Sequence, residues 1–379
     1  MRAKHKLSLL LAAASIAAGC DNKEDIVPDT PDVPAEGYHL TFDGGVGVET
    51  GTRAVWNDDK GLGNLIFQWD YTEDTETNEM VMAFINSGLL ASNEGNYHTY
   101  ATINKHEEHA EDKHWARFET NDKYEYNMPS GRYDGYKVLA VTPYRTENSS
   151  TVASSADAFS ATLPMPCQFT QVAHQKPDFL RNYMYMYATS TIAGGSATLA
   201  FNHIPATFRF IVTNKRPGEA IIKSVKVSRD DGGNMGSTQL ALTARATDTE
   251  ISKAYTSPCS AITTNITGNG AALATDATYI AYAMALPLGD GGGVYDPAAF
   301  TGKQIKFTIE AGDPDNEYLS FVLDGSQLAG ANPNGEYNWV GGKSYTIRMS
   351  LSDVLSFDGI TVNDWTEEEE INGGEAEEQ

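Results

Sequence analysis

From residue 38 to residue 351 the chain is written in short runs where apolar residues alternate with polar ones or form a brief apolar block, each run closed by turn-forming residues. A period of two puts every second side chain on one face of an extended strand, so these runs predict strands half buried against a core. They fall at residues 38–42, 80–85, 97–103, 115–118, 136–141, 197–201, 206–212, 221–227, 279–283, 305–309, 318–322 and 345–351. Phe208, Phe210 and Val212 alternate with Thr207, Arg209 and Ile211, and Tyr345, Ile347 and Met349 alternate with Thr346, Arg348 and Ser350. Helical periodicity is scarce, while 34 glycines and 15 prolines supply turns such as Asp230-Asp231-Gly232-Gly233. The fold class is therefore all-β, with antiparallel sheets packed as sandwiches. One sandwich needs about half of these strands. Two domains are expected, at 37–192 and 193–366, divided where Ile192-Ala193-Gly194-Gly195-Ser196 breaks the pattern.

The segment before the first strand carries an export signal. Arg2, Lys4 and Lys6 precede an apolar stretch from Leu9 to Ala18, and Ala17-Ala18-Gly19 leads directly into Cys20. Such a stretch is too short to span a bilayer, and its flanks are those of a cleaved leader, so residues 1–19 read as a lipoprotein signal peptide. Cys20 is then the lipid attachment site, holding the mature chain to a membrane. Each buried methylene contributes about 0.8 kcal/mol, and two or more acyl chains make the anchor stable. A plain secretory peptide followed by a coincidental cysteine is the alternative, because Ala17 stands where leucine is commoner. Residues 20–36 have prolines at 28, 31 and 34 and acids at 21, 24, 25, 29, 32 and 36, the composition of an extended, flexible tether. Asp21-Asn22-Lys23-Glu24-Asp25 resembles the acidic export signal that carries Bacteroidales lipoproteins to the outer face of the outer membrane. That resemblance implies a surface-exposed protein of the cell outer membrane.

The formal net charge is -24, and loss of Arg2, Lys4 and Lys6 on maturation makes the product more acidic still. Nucleic acid is excluded as a partner, since a polyanion requires basic surface. Acidity of this kind keeps an exported protein soluble. Besides Cys20 there are only Cys167 and Cys259. An exported chain can pair them, but they are distant in sequence and lie on opposite sides of the expected domain boundary, so two separate thiols are expected.

Motifs for catalysis are weak. His106-Glu107-Glu108-His109 with His114 lacks the spacing that sets two zinc ligands on one helical face, and reads as a solvated loop. Asp313, Asp315 and Glu317 alternate around Pro314 and Asn316 without the glycine and distal glutamate of a calcium loop, and read as a plain turn. His203 beside strand residues reads as a structural histidine. Neither a nucleophile elbow, a phosphate loop nor paired CxxC motifs occur. No enzyme, metal or cofactor is expected. Trp56, Trp69, Tyr133 and Tyr136 could stack on sugar rings, although such aromatics more often fill cores or hairpins.

Landmarks along nearly the whole chain resemble the fimbrillins of Bacteroidales pili, the family of major and minor fimbrial subunits. They are the lipobox Cys20, Tyr38-His39-Leu40-Thr41-Phe42, Thr52-Arg53-Ala54, Leu199-Ala200-Phe201-Asn202-His203-Ile204, Gly342-Lys343-Ser344-Tyr345-Thr346-Ile347, and Ile360-Thr361-Val362-Asn363-Asp364-Trp365. The resemblance implies two tandem transthyretin-like Greek-key β-sandwich domains. It further implies an Arg-specific protease cutting between Arg53 and Ala54, loss of the first strand, and donor-strand insertion by other fimbrial subunits. Adhesion to host or bacterial surface ligands follows from the same resemblance. Asp43 to Val48, with three glycines, is expected to be a mobile connection that the protease reaches. The acidic tail 367–379 offers no alternation, so a donor strand is expected before it, within residues 357–365. A stalk subunit, a tip subunit, a non-polymerising fimbrial anchor and a glycan-binding surface lipoprotein all stay open at this point.

Overall fold

The computed structural model describes residues 41–46, 80–85, 97–105, 116–120, 135–144, 150–154, 158–173, 177–192, 197–245, 247–312 and 317–364. Its strands begin with β1 (Thr41–Val46), β2 (Met80–Ile85), β3 (Tyr97–Lys105), β4 (Ala116–Thr120), β5 (Lys137–Thr142), β6 (Thr151–Ser154) and β7 (Ala158–Pro164). There follow β8 (Gln168–Gln171), a 3-10 turn (Pro177–Tyr183), β9 (Met186–Thr191), β10 (Thr198–His203), β11 (Ala206–Asn214), β12 (Ala220–Arg229), β13 (Gly236–Arg245) and β14 (Ser252–Cys259). The series ends with β15 (Ala261–Ile266), β16 (Ala271–Leu273), β17 (Thr278–Ala285), β18 (Gln304–Ala311), β19 (Glu317–Asp324), helix α1 (Gly325–Ala331), β20 (Lys343–Leu351) and β21 (Leu355–Asp364). The all-β expectation holds.

Four sheets carry these strands. The first closes on itself in the order β1-β10-β9-β5-β2-β3-β4. Its β2 is an unbroken apolar run, all six residues buried, as a strand covered on both faces must be. The second sheet runs β17-β11-β20-β21 and the third β19-β18-β12-β15-β8, with β16 beside β12. The fourth runs β14-β13-β7-β6.

The second and third sheets meet through aromatic side chains. Phe210 lies edge-on to Phe307 at 6.4 Å, and Phe208 touches Trp339 at 4.8 Å and Tyr345 at 5.6 Å. Trp339 is wholly buried, and its indole N–H donates to the Met235 carbonyl at 2.8 Å, which satisfies the one polar atom the burial would orphan. The Tyr345 hydroxyl donates to Asn332 Oδ1 and accepts from the Val340 N–H, both at 2.8 Å. Helix α1 opens with a capping box, Asp324 accepting from its first turn while Gln327 returns a bond to the Asp324 N–H.

Strands from the two expected domains share sheets. β7 pairs with β13, β8 runs parallel to β15, and β10 pairs with both β9 and β1. This pairing corrects the expectation for the cysteines: Cys167 and Cys259 form a disulfide, with Cα atoms 6.6 Å apart across 92 residues of sequence. Distance in sequence is no obstacle here. The Met165 N–H donates to Thr238 at 2.8 Å, Thr263 to Cys167 at 2.8 Å and Met235 to Cys259 at 2.7 Å, so main-chain bonds already bring the two loops together.

The bond therefore staples the β7–β8 connection to the end of β14. Replacing both cysteines by serine should lower unfolding free energy by about 2 to 5 kcal/mol, read from denaturant titration. Thiol titration of the folded wild-type protein should find Cys167 and Cys259 unreactive. Two reactive thiols there would contradict the pairing.

Candidate functional site: the seam closed by the first strand

β1 is the strand that turns the first sheet into a closed one. On one side it pairs antiparallel with β4, setting Phe42 opposite Phe118 and Gly44 opposite Ala116. On its other side it runs parallel to β10, with Asp43 opposite Thr198, Gly44 opposite Leu199, Gly45 opposite Ala200 and Val46 opposite Phe201. Asp43 to Val46 are thus strand residues, which corrects the reading of the whole glycine-rich stretch as a mobile connection. Gly44 pairs on both edges and Gly45 pairs with Ala200, and these main-chain partners outweigh glycine's poor strand propensity.

The seam is asymmetric. β10 meets β9 only at Asn202 and His203, whereas its first four residues pair with β1. Taking β1 away would leave Thr198 to Phe201 without a strand partner among the described residues. Leu199 and Phe201 are both 0% exposed, so the opened main-chain edge would border the buried face of the sheet.

The far end of β10 is held. The Ile204 N–H donates to the Tyr185 carbonyl at 3.0 Å, and the Gly342 N–H donates to the Pro205 carbonyl at 2.9 Å. Gly341 lies so close that a Cβ there would stand 2.4 Å from the Ile204 carbonyl oxygen, which requires glycine. The landmarks Leu199 to Ile204 and Gly342 to Ile347, separate in sequence, therefore meet at one junction.

Cys20, Arg53 and Ala54 lie outside the described residues, as do His106, His109, His114, Trp56, Trp69, Tyr133 and the tail 367–379. Tyr136 is buried at 8% exposure and offers no platform for a sugar ring. Asp313 and Asp315 also lie outside, and Glu317 is engaged: Arg216 donates to its carboxylate and holds it below the ordinary carboxylate range. Residues 357–364 of the expected donor segment are β21, paired antiparallel with β20. Among the described residues no group of three or more metal-binding side chains occurs.

His203 closes β10 with ring nitrogens shielded from water. Burial pushes its imidazole down from 6.5 to about 3, so it is neutral in the fold. Between those two values the unfolded chain binds a proton the folded chain does not, and stability falls as pH falls through that window, by up to about 1.4 kcal/mol per pH unit. Denaturant midpoints measured from pH 7 to pH 3 should show this slope, and His203→Leu should remove its share. An unchanged slope in His203→Leu would contradict the assignment.

No family model and no curated relative matches the chain. Among solved structures it is similar to a candidate cell adhesion protein from Bacteroides uniformis, at 15% identity and a TM-score of 0.47, over 86% of this chain and 99% of that one. A candidate cell adhesion protein from Bacteroides ovatus is similar at 12% identity and a TM-score of 0.47, over 87% of this chain and 99% of that one. A fimbrial protein from Bacteroides vulgatus is similar at 12% identity and a TM-score of 0.39, over 76% and 93%. Likenesses at this identity and TM-score carry no functional argument for this chain.

Proposed function

We propose that this chain is a structural subunit of a cell-surface fimbria with a role in adhesion. In this reading Cys20 carries the lipid that holds the precursor at the outer membrane. An Arg-specific protease then cuts between Arg53 and Ala54 and releases the leading segment with β1. The observation that carries the reading is the position of β1: it is the first described strand in the chain, and among the described strands it alone bridges β4 and β10 to close the sheet. Its departure leaves two strand edges facing one slot, with Leu199 and Phe201 at the base.

A strand from another subunit fits that slot by the chemistry of β-strand addition. An inserted strand of about ten residues buries about five side chains at about 1.5 to 3 kcal/mol each and adds main-chain hydrogen bonds. That exceeds all but the upper range of the association cost, about 4 to 15 kcal/mol. The donor we assign is β21, an edge strand hydrogen bonded only to β20 within its sheet. The acidic tail beyond it plays no part in insertion.

Arg53→Ala should leave the protein lipid-anchored and unable to form fibres, with an unchanged thermal transition, and the N-terminal residue recovered from the cell surface should stay Cys20 in place of Ala54. Fibres of normal length in Arg53→Ala would remove the basis for processing at this bond. Recovery of lipidated Cys20 from wild-type fibres would favour an anchor.

A further inference from the structure

A strand at the edge of an open sheet presents unpaired main-chain groups, and folded proteins blunt such edges. Almost every open edge among the described residues is blunted. β6 and β8 are four residues each. The edge of β17 is capped by Gln171, whose amide donates to the Ile280 carbonyl and accepts from the Tyr282 N–H, both at 3.0 Å. β14 carries Pro258 and Ser257 at φ 54°, and its Tyr255 N–H donates to Gly293 of a covering loop at 2.7 Å. β21 is broken by a register shift at Arg348/Met349 opposite Gly359, and it exposes Asp358.

β19 carries charge only at its two ends, Glu317 and Asp324, and has none of the other devices. It runs eight residues in continuous register with β18, without proline, lysine or bulge, and no described strand pairs with its other edge. Its outer face carries Tyr318 at 68% exposure and Val322 at 45%, two of the five large apolar side chains exposed among the described residues. Ser320, also exposed, stands between them.

We propose that β19 is a lateral interface, and that its partner is β19 of a second copy of this chain, paired antiparallel about a two-fold axis through Ser320. In that register Tyr318 of each copy faces Val322 of the other on the outer face, an aromatic against a β-branched side chain, twice. Leu319 faces Phe321 on the inner face. A shift of one residue in either direction turns the outer face of one copy to the inner face of the other, and in one direction also sets Glu317 against Asp324 at both ends. A shift of two sets Tyr318 against Asp324 or leaves Val322 beyond the paired residues. The register centred on Ser320 is the one that sets the two exposed apolar side chains against each other.

Seven residues of paired edge bury less than the ~1,200 Å² of a stable interface, so the contact is weak between single subunits. Repeated along two polymers it adds up, because each contact formed raises the effective concentration at the next. This goes beyond assembly of a single fibre: the surface fits side-by-side association of fibres.

The test uses the unprocessed mature chain carrying Cys20→Ser, which has no lipid to associate through and still holds β1. Sedimentation equilibrium up to about 1 mM should show a monomer–dimer equilibrium. Tyr318→Thr with Val322→Thr should weaken the dimer about tenfold while leaving the thermal transition in place. Ser320→Lys and Ser320→Glu should each be monomeric alone, since like charges meet on the axis, and should form a heterodimer when mixed. A wild-type monomer at ~1 mM, or a dimer that all these substitutions leave intact, would overturn the proposal, as would a mixture that stays monomeric. Because the precursor cannot exchange β1 while Arg53 is uncut, these outcomes do not depend on whether strand exchange occurs.

Discussion

The main-chain pairing of β1 holds the first sheet shut. Four residue pairs tie it to β4 and four tie it parallel to β10. Everything assigned to assembly depends on those bonds being the sole bridge between the two edges. A segment bonded to a neighbour on each side is stable in place, because its amides and carbonyls find partners there. Cutting the chain behind it turns an intramolecular strand into a separate peptide, whose hold is then set by concentration.

The remainder of the molecule is built so that opening the seam need not dissolve it. Phe208, Phe210, Trp339 and Tyr345 form a core between the second and third sheets, in which β1 takes no part. β7 and β8 reach into the sheets of β13 and β15, and the disulfide between Cys167 and Cys259 ties that crossing. The Gly342 N–H on the Pro205 carbonyl anchors the far end of β10 to the turn before β20. One edge of the structure is thus free to lose its partner while the elements behind it stay fastened.

Apolar runs made of large side chains were legible as strands: Met80–Ile85 matches β2 to the residue, and the alternations around Phe208 and Tyr345 lie within β11 and β20. Strands built from small residues were not. β13 alternates Leu240, Leu242 and Ala244 among threonines and other alanines, and β14 is mostly serine, threonine, lysine and proline around one buried Tyr255. Their burial comes from partners far along the chain, which local periodicity does not encode. The disulfide was hidden for the same reason, since it depends on β7 pairing with β13 and β8 with β15. The Asp324 to Gln327 capping box was readable at helix α1 but spans too few residues to set up helical periodicity. At the seam, sequence pointed to the two landmark segments, while the glycines of β1 concealed that the strand runs on to Val46.

Hydrogen exchange at the amides of Leu199 and Phe201, which point away from the β9 side taken by the Ile204 N–H, tests most directly whether β1 alone closes the sheet. In the intact precursor these amides should be protected. After cleavage at Arg53 and removal of the freed segment their protection should fall, and a peptide spanning residues 38–48 should restore it, while Phe208 and Phe210 keep theirs throughout. Protection at Leu199 and Phe201 that survives removal of β1 would contradict the account.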